Sequence, residues 1–319
     1  MENINEKSPE YIQFLRGRIS SGVPENIAEL MVNYALGEKE HARVLEQIRD
    51  FCFRGKEPVD RNLEKPKAYL VIAQTGAGKS NLTMKIKREN PNIVIIDSDA
   101  FKAFNPNKDE IKDKYPQYYG HLTGLDAYLH RDEVYDEALN RGYNILIEVA
   151  PSSKELLFNI DFEELHAHGY DIEANIMSVS EENSLLSVHE RYEGQIEAKM
   201  EAPKLTDFKR ARDSAAAVPL IIKDLIENHP EVNLVLFKRA VIKDKDTEVA
   251  DPIFITDKKE GFMKAYNDAK QDDLARTLDE SEKRIERVKA QMKARGAHPL
   301  HVSQFEQICQ IIANSKQMS

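Results

Sequence analysis

A glycine-rich segment at residues 73–80, with the sequence AQTGAGKS, contains the residue types that bind nucleotide phosphates. In a loop of the form G-x-x-x-x-G-K-[ST], successive backbone N–H groups and the start of the following helix surround the phosphates. Lys79 is expected to reach the β- and γ-phosphates of ATP, and the hydroxyl of Ser80 is expected to bind Mg²⁺. The predicted ATP-contacting set also includes Gln74, Thr75, Gly76, Ala77 and Gly78.

The neighbouring sequence supports this interpretation of the segment. The apolar residues 69–72 predict a strand before it, and Leu82, Met84 and Ile86 indicate a helix after it. Ala73 stands where the pattern has its first glycine, and alanine is unfavourable there only if the backbone needs a positive φ. The sequence therefore predicts a strand, a phosphate loop and a helix in that order.

Acidic side chains follow the second and third predicted strands, at the edge of a parallel sheet where ligands bind. Asp99 is the predicted general base, which would orient an acceptor hydroxyl and accept its proton, and it is also suited to capping the next helix. Asp97 is expected to hold Mg²⁺ through water or to brace the turn. Lys102 and Glu148 are predicted to contact the acceptor, and Glu148 is also placed to approach the water shell of the metal.

Basic side chains follow the fourth predicted strand, at a place where a lid would close over the triphosphate. Arginine suits bidentate contact with phosphate and stabilisation of transferred charge. Arg191 is therefore a candidate catalytic residue, and Lys199 is a candidate ATP contact. By itself, the position of Arg191 beside Glu190 and Glu193 indicates an ordinary ion pair on a helix.

Residues 67–245 alternate predicted strands and helices, which is typical of a parallel sheet with right-handed crossovers. The predicted strands are residues 68–73, 93–97, 144–149, 173–179 and 233–239. The predicted helices lie near residues 80–89, 125–141, 154–168, 181–198 and 207–228. We therefore expect an α/β fold with a five-stranded parallel sheet of the P-loop kinase type, in the order 2-3-1-4-5, flanked by helices.

The two ends of the chain are predicted to be helical. Residues 8–53 show three amphipathic helices, and residues 54–66 are typical of a linker. After residue 246 the sequence predicts a helix at 259–270, a charged helix at 271–295 and a last amphipathic helix. The predicted domains are a helical bundle at 1–62, a kinase domain at 63–245 and a helical extension at 246–319.

Composition excludes several classes of protein for this 319-residue chain. Its formal net charge of −10 argues against a general nucleic-acid binder. Two cysteines, Cys52 and Cys309, provide neither a disulfide framework nor a multi-cysteine metal site. The polar start of the chain resembles no signal peptide, and no apolar run is long enough to span a membrane. The sequence therefore predicts a cytoplasmic protein that binds neither nucleic acid nor membrane.

Four segments taken together resemble the zeta-toxin family, over about residues 66–240: the phosphate loop and residues 96–102, 142–148 and 190–193. The resemblance implies a phosphate-loop kinase that uses ATP and Mg²⁺ to phosphorylate the 3′-hydroxyl of the sugar in UDP-N-acetylglucosamine. It also implies control by an antitoxin made of a small three-helix bundle.

The resemblance assigns roles to particular residues. It places Lys79 and Ser80 at the phosphates and metal, Asp99 as the base, Arg191 as a lid arginine, and Glu133, or Asp132 if the alignment shifts, as the substrate-binding carboxylate. The chain departs from the family at residues 149–154, VAPSSK, where the family usually has a glycine, a threonine and an arginine. Its nearest match to the second lid arginine is Lys199 or Lys204, and lysine does not give the same bidentate contact.

Three functional hypotheses follow from these residues. The first is a kinase of the zeta type acting on a nucleotide sugar, and the second is a kinase for another small hydroxyl compound such as a nucleoside or an antibiotic. The third is a non-catalytic nucleotide-binding regulatory protein. Residues 1–60 are expected either to inhibit the kinase in cis by covering the ATP site or to serve as a structural or docking extension.

Overall fold

The computed structural model describes residues 6–115, 118–151, 162–200, 205–239 and 252–318. Its strands are β1 (Lys67–Ile72), β2 (Val94–Ile96), β3 (Ile145–Val149), β4 (Asp171–Ser178), β5 (Asn233–Lys238) and β6 (Ile253–Thr256). Its α-helices are α1 (Pro9–Gly17), α2 (Glu25–Tyr34), α3 (Glu38–Phe53), α4 (Lys79–Glu89), α5 (Ser98–Phe101), α6 (Lys108–Lys114), α7 (Tyr119–Leu122), α8 (Gly124–Arg141), α9 (Phe162–Ala167), α10 (Glu181–Glu197), α11 (Phe208–Asn228), α12 (Phe262–Ala294) and α13 (Pro299–Met318).

The chain divides into two compact units that do not follow a single cut in the sequence. The first unit comprises Met1–Pro66 and Asn92–Ile147, and the second comprises Lys67–Pro91 and Glu148–Ser319. Each unit therefore contains one part of the predicted site. The predicted domain boundaries after residues 62 and 245 remain predictions.

The first unit is built from the N-terminal helices, α8 and a pair of strands. In it, β2 pairs with β3 in parallel, with Val94 opposite Ile145. The apolar faces of α1 and α2 meet α8 in one buried core, which includes Leu15, Ile27, Leu125 and Leu129. The predicted amphipathic helices at residues 8–53 thus form because burying one apolar face offsets the entropy lost on folding.

The second unit contains a mixed sheet in which β1, β4 and β5 are parallel neighbours and β6 is antiparallel to β5. At the end of β3, the carbonyl of Val149 accepts a hydrogen bond of 3.2 Å from the amide of Ala73. Within each unit the neighbours follow the predicted order. The described residues contain six strands, so the predicted number of five is wrong.

The missed strand, β6, lacks the pattern that identified the others. Its side chains are exposed or half-buried, because it is an edge strand held by backbone pairing with β5. Phe254, for example, pairs with Phe237 and is still 54% exposed. A short strand without a buried run gives no signal in a search for continuous apolar segments.

The charged C-terminal region forms one helix where two were predicted. α12 runs for 33 residues, because no glycine or proline interrupts the sequence between residues 262 and 294. Gly261 and Gly296 flank the helix with φ angles of 73° and 63°, so both use the left-handed conformation that glycine adopts readily. In the described part of the chain, no helix combines the length and apolar composition needed to cross a bilayer.

Buried polar contacts join α12 to the start of α10 in the second unit. The carboxylate of Asp273, 1% exposed, accepts hydrogen bonds from the amide of Ser180 at 2.9 Å and from Nδ2 of Asn183 at 2.9 Å. Arg284 forms an ion pair of 2.6 Å with Glu190. Because Asp273 is buried, its removal would leave the amide of Ser180 and Nδ2 of Asn183 without this acceptor.

His189 on α10 is expected to make the chain less stable in acid. Its ring is fully buried 5.0 Å from the ring of Phe305, and no described group hydrogen-bonds either ring nitrogen. Burial lowers the pKa of His189 from 6.5 to about 4, with smaller effects from Glu193, His301 and Arg295. The neutral form is therefore favoured in the folded chain, and stability should fall as the pH drops from 6.5 towards 4.

Urea unfolding at several pH values tests this expectation with His189→Leu. One proton contributes up to about 1.4 kcal/mol per pH unit to the pH dependence. The variant should therefore lose less stability than the wild type between pH 6.5 and pH 4. The exposed His121 provides the control His121→Gln, which should follow the wild type. Equal slopes for wild type and His189→Leu would contradict the assignment.

Candidate nucleotide-binding site

The phosphate loop lies between β1 and α4 in the second unit, as the sequence predicts. Gly76 and Gly78 have φ angles of 85° and 91°, which other residues adopt only with strain. A Cβ on Gly76 would stand 2.3 Å from the carbonyl oxygen of Ser184, so α10 lies directly against the loop. The glycine at this position is required by both its backbone angle and its packing.

The side chain of Gln74 anchors the loop to the junction of β4 and α10. It is fully buried, and its Nε2 atom donates hydrogen bonds of 2.8 Å to the carbonyl of Val179 and to Oγ of Ser184. A third acceptor is the carbonyl of Ser180, at 3.2 Å. The Gln74 side chain is therefore structural, and only its backbone is available for the predicted ATP contact.

Lys79 and Ser80 open α4 at the end of the loop. The ammonium group of Lys79 donates to the carbonyls of Ala73 and Gln74 at 3.1 and 3.2 Å. It therefore lies against the backbone of the loop, close to the amides that would bind phosphate. Ser80 is exposed in the first turn of the helix, and its hydroxyl is a suitable oxygen ligand for Mg²⁺ together with phosphate oxygens and water.

Glu148 lies beside the helix that follows the phosphate loop. Its Oε1 atom accepts a hydrogen bond of 2.6 Å from the hydroxyl of Thr83. Ser80 precedes Thr83 by three residues on α4, so both side chains share one face of that helix. The second unit thus brings together the phosphate loop, the predicted metal-binding hydroxyl and the acid at the end of β3. This arrangement fits a nucleotide-bound metal, whose water shell Glu148 would be placed to contact.

The acids after β2 lie together in the first unit. Asp97 is the N-cap of α5, and its side chain accepts a hydrogen bond of 2.9 Å from the amide of Asp99. The helix cap considered for Asp99 is therefore formed by Asp97, which braces the turn. The Asp99 side chain is 54% exposed and forms an ion pair of 2.6 Å with Lys102. This leaves the predicted base and the predicted acceptor-binding lysine side by side.

Glu133 on α8 contacts a histidine that the sequence did not single out. Nε2 of His41 lies 2.6 Å from Oε1 of Glu133, and this contact lowers the pKa of Glu133. The His41 ring stacks on that of His130, with centroids 4.1 Å apart. The alternative residue, Asp132, is also paired, at 2.8 Å from Arg18. Sequence analysis missed these partners because they lie about 90 or more positions away along the chain.

Arg191 lies on the face of α10 that touches the phosphate loop. Val188 and Ser184 precede it by three and seven residues, and both lie against Gly76. The neighbouring acids have partners on α12: Glu190 pairs with Arg284, and Glu193 pairs with Arg295 at 2.7 Å. Sequence analysis could not identify these arginines as partners, because they are about 100 residues away.

Of the candidate lid lysines, the structure describes Lys199 and not Lys204. Lys199 is exposed just beyond the end of α10, with a φ of 51°. Lys204 lies outside the described residues, as do residues 152–154 of the segment that departs from the family pattern.

A comparison with protein families decides the assignment. The family model for the zeta toxin matches residues 49–251, which is more than half of the chain. The chain belongs to the zeta toxin family. Ala73 stands where the general phosphate-loop motif has its first glycine, and the described backbone has no positive φ at this residue. Alanine is therefore accommodated there without strain.

Individual zeta toxins are similar to parts of the chain. A toxin zeta of Enterococcus hirae is 32% identical over 164 residues, covering 50% of this chain and 53% of that protein. A second toxin zeta, from Streptococcus pyogenes, is 30% identical over 167 residues and is covered to 55%. Toxin PezT of Streptococcus pneumoniae serotype 4 is 28% identical over 228 residues, 67% of this chain and 80% of that protein. The chain spans about half the length of the toxin zeta proteins that it matches.

A solved structure shows the same fold. It comes from a characterisation of the PezAT chromosomal toxin–antitoxin system of Streptococcus pneumoniae and aligns with a TM-score of 0.62. The alignment covers 81% of this chain and 98% of that chain, with 19% sequence identity. The α/β architecture with a mostly parallel sheet and flanking helices is therefore shared with this solved structure.

Gly76→Ala is expected to damage the phosphate loop of this zeta toxin homologue. The new Cβ would meet the Ser184 carbonyl, and a positive φ for alanine adds strain, so we expect a loss of about 1–3 kcal/mol of stability together with weaker ATP binding. Thermal unfolding and ATP titration measure the two effects. Gly194→Ala on α10 is the matched control, because a Cβ at Gly194 meets nothing within 4 Å. A Gly76→Ala chain with wild-type stability and affinity would contradict the expectation.

Proposed function

We propose that this chain is an ATP- and Mg²⁺-dependent phosphotransferase that transfers the γ-phosphoryl group of ATP to a hydroxyl of a small molecule. The observation that carries the proposal is the phosphate loop, in which Lys79 lies against the loop backbone. Ser80 and Thr83 share a face of α4, and Thr83 donates a hydrogen bond to the Glu148 carboxylate. Membership of the zeta toxin family supports it.

In this proposal each candidate residue has a separate role in phosphoryl transfer. Asp99 accepts the proton of the acceptor hydroxyl, whose oxygen then bonds to the γ-phosphorus while the bond to the β–γ bridging oxygen breaks, releasing ADP. Lys79 and Arg191 stabilise the negative charge on the transferred group. Mg²⁺ bound at Ser80 would neutralise phosphate charge. Asp97 remains a predicted ligand of Mg²⁺ through water. Lys102 orients the Asp99 carboxylate through their ion pair.

The proposed acceptor is the 3′-hydroxyl of the sugar in UDP-N-acetylglucosamine, with Glu133 as its contact. The acceptor assignment depends on the resemblance to the family. A kinase for a nucleoside or an antibiotic is the alternative, because residues 149–154 differ from the family pattern next to the third-strand acid. A non-catalytic nucleotide-binding regulator is the alternative outside the kinases.

The test is transfer of label from [γ-³²P]ATP to UDP-N-acetylglucosamine by the full chain in the presence of Mg²⁺. A labelled sugar nucleotide would establish the activity. ATP binding without labelled product would exclude this acceptor, and a screen of nucleosides and antibiotics would then distinguish another kinase from a regulator. A chain that fails to bind ATP would refute the proposed function as a whole.

We also propose that an antitoxin, or the N-terminal helices acting in its place, restrains the enzyme. The PezAT neighbour belongs to a toxin–antitoxin system, which supports an antitoxin partner. Inhibition in cis would involve His41 of the N-terminal helices, because it contacts Glu133, the proposed acceptor-binding carboxylate. Residues 1–60 also supply Leu15 and Ile27 to the core around α8, so a truncated chain must first be shown to fold. A folded truncated chain with an unchanged transfer rate would refute inhibition in cis.

A further inference from the structure

Arg239 immediately follows β5, at the carboxyl end of the strand. Ligands of parallel-sheet proteins bind at the carboxyl ends of the strands. Its Nε atom lies 4.0 Å from the position that a Cβ on Gly78 would occupy. Gly78 ends the phosphate loop, and its neighbour in sequence is Lys79. The guanidinium group therefore lies against the same loop that would hold the phosphates, in a place that no motif in the sequence identifies.

The partners of Arg239 are neutral side chains. Its Nη1 atom donates a hydrogen bond of 2.7 Å to Oγ of Ser187 and lies 3.4 Å from Oδ1 of Asn183. Among the described residues, no carboxylate forms an ion pair with this guanidinium. Ser187 and Asn183 also accept hydrogen bonds from Arg284, at 3.1 and 2.9 Å. They would therefore keep a donor if Arg239 were shortened.

The acids near Arg239 are already engaged by other cations. Glu190 pairs with Arg284 and Arg287, and Asp273 pairs with Arg276 at 2.8 Å. Burial and the charge of Arg284 lower the pKa of Arg239, only partly offset by Asp273 and Glu190. A partly buried guanidinium with neutral partners is costly unless an anion approaches it.

We propose that Arg239 binds the phosphate chain of the nucleotide at the Gly78 end of the phosphate loop, with Ser187 and Asn183 holding its guanidinium in place. Arginine suits this role because its planar group presents several donors to phosphate oxygens. The inference rests on the proposed function, since it requires ATP in the loop. Arg239, just after β5, would bind the phosphate chain together with the phosphate loop and with Arg191 on α10.

The experiment measures the affinity of the full chain for ATP and for inorganic triphosphate, by competition with a fluorescent ATP analogue. Arg239→Met should weaken binding of both probes about 10-fold or more, the usual effect of losing a hydrogen bond to a charged group. Lys238→Met removes a charge one position earlier, on the opposite side of the strand, and should bind as the wild type does. Arg239→Gln, which still donates to Ser187, is the second variant if Arg239→Met does not fold.

The outcomes separate this inference from the proposed function. If the wild type binds ATP and the Arg239 variants bind both probes equally well, Arg239 is not a phosphate ligand and the proposed function stands. If the variants weaken ATP but not triphosphate, the contact is with the nucleoside and the inference is also wrong. If the wild type binds neither probe, the phosphate loop itself is not a nucleotide site, and both conclusions fall.

Discussion

Asp99→Asn should lower the rate of phosphoryl transfer about 10²–10⁴-fold while leaving ATP affinity nearly unchanged. Asparagine matches aspartate in size and can still accept a hydrogen bond from Lys102, but it cannot take the proton from the acceptor. Within the first unit, the Asp99 carboxylate forms an ion pair with Lys102, and its backbone amide donates to Asp97. Single-turnover rates with [γ-³²P]ATP and a separate ATP titration measure the two quantities.

The control for this prediction is Asp109→Asn. Asp109 is also an acid of the first unit, its side chain is 78% exposed, and its pairing with Lys112 at 3.7 Å is loose. The Asp109→Asn substitution removes the same charge as Asp99→Asn. It should leave the transfer rate within a factor of about two, as surface substitutions usually do. Full activity in Asp99→Asn would mean that another group accepts the proton, or that the acceptor loses its proton after phosphoryl transfer and needs no general base.

Lys79→Met should raise the dissociation constant for ATP about 10- to 100-fold and lower turnover as well. The ammonium group lies over the loop on the carbonyls of Ala73 and Gln74, so its loss removes a cation where the β- and γ-phosphates would bind. Because the same charge would stabilise the transferred group, the effect should appear in both affinity and rate. Titration with ATP and single-turnover assays at saturating ATP distinguish them.

Lys87→Met is the matched control for the lysine of the loop. Lys87 is exposed two helical turns further along α4, so the substitution changes the net charge equally without touching the loop. It should bind ATP as the wild type does. Wild-type affinity in Lys79→Met would show that the loop does not bind phosphate through this residue.

Local sequence predicted the parts of the fold that depend on local or continuous patterns. The runs in β1, β3, β4 and β5 are apolar because strands covered on both faces must be, and the structure places them within two residues of the prediction. The phosphate loop was predictable for a related reason, since its glycines and Lys79 are consecutive. The division of the C-terminal region was wrong because a change of composition does not end a helix, whereas glycine or proline does.

The parts of the site that sequence did not predict depend on pairs of distant residues. Nothing near Glu133 in the sequence indicates His41, and nothing near Arg191 indicates that Arg284 and Arg295 would pair with the adjacent glutamates. Arg239 follows an ordinary strand, and its relation to Gly78 exists only in three dimensions. Such contacts are set by how elements pack, which a single sequence does not encode in any local pattern.

The buried Asp273 has a practical consequence for where this protein can be shortened. The family match ends at residue 251, yet Ser180 and Asn183, which lie within it, hydrogen-bond to Asp273 beyond it. Ser180 in turn accepts from Gln74, the anchor of the phosphate loop. A chain cut at residue 251 would leave these buried donors facing solvent or one another. The smallest piece that can keep its phosphate loop in order therefore extends past the family match, at least through α12.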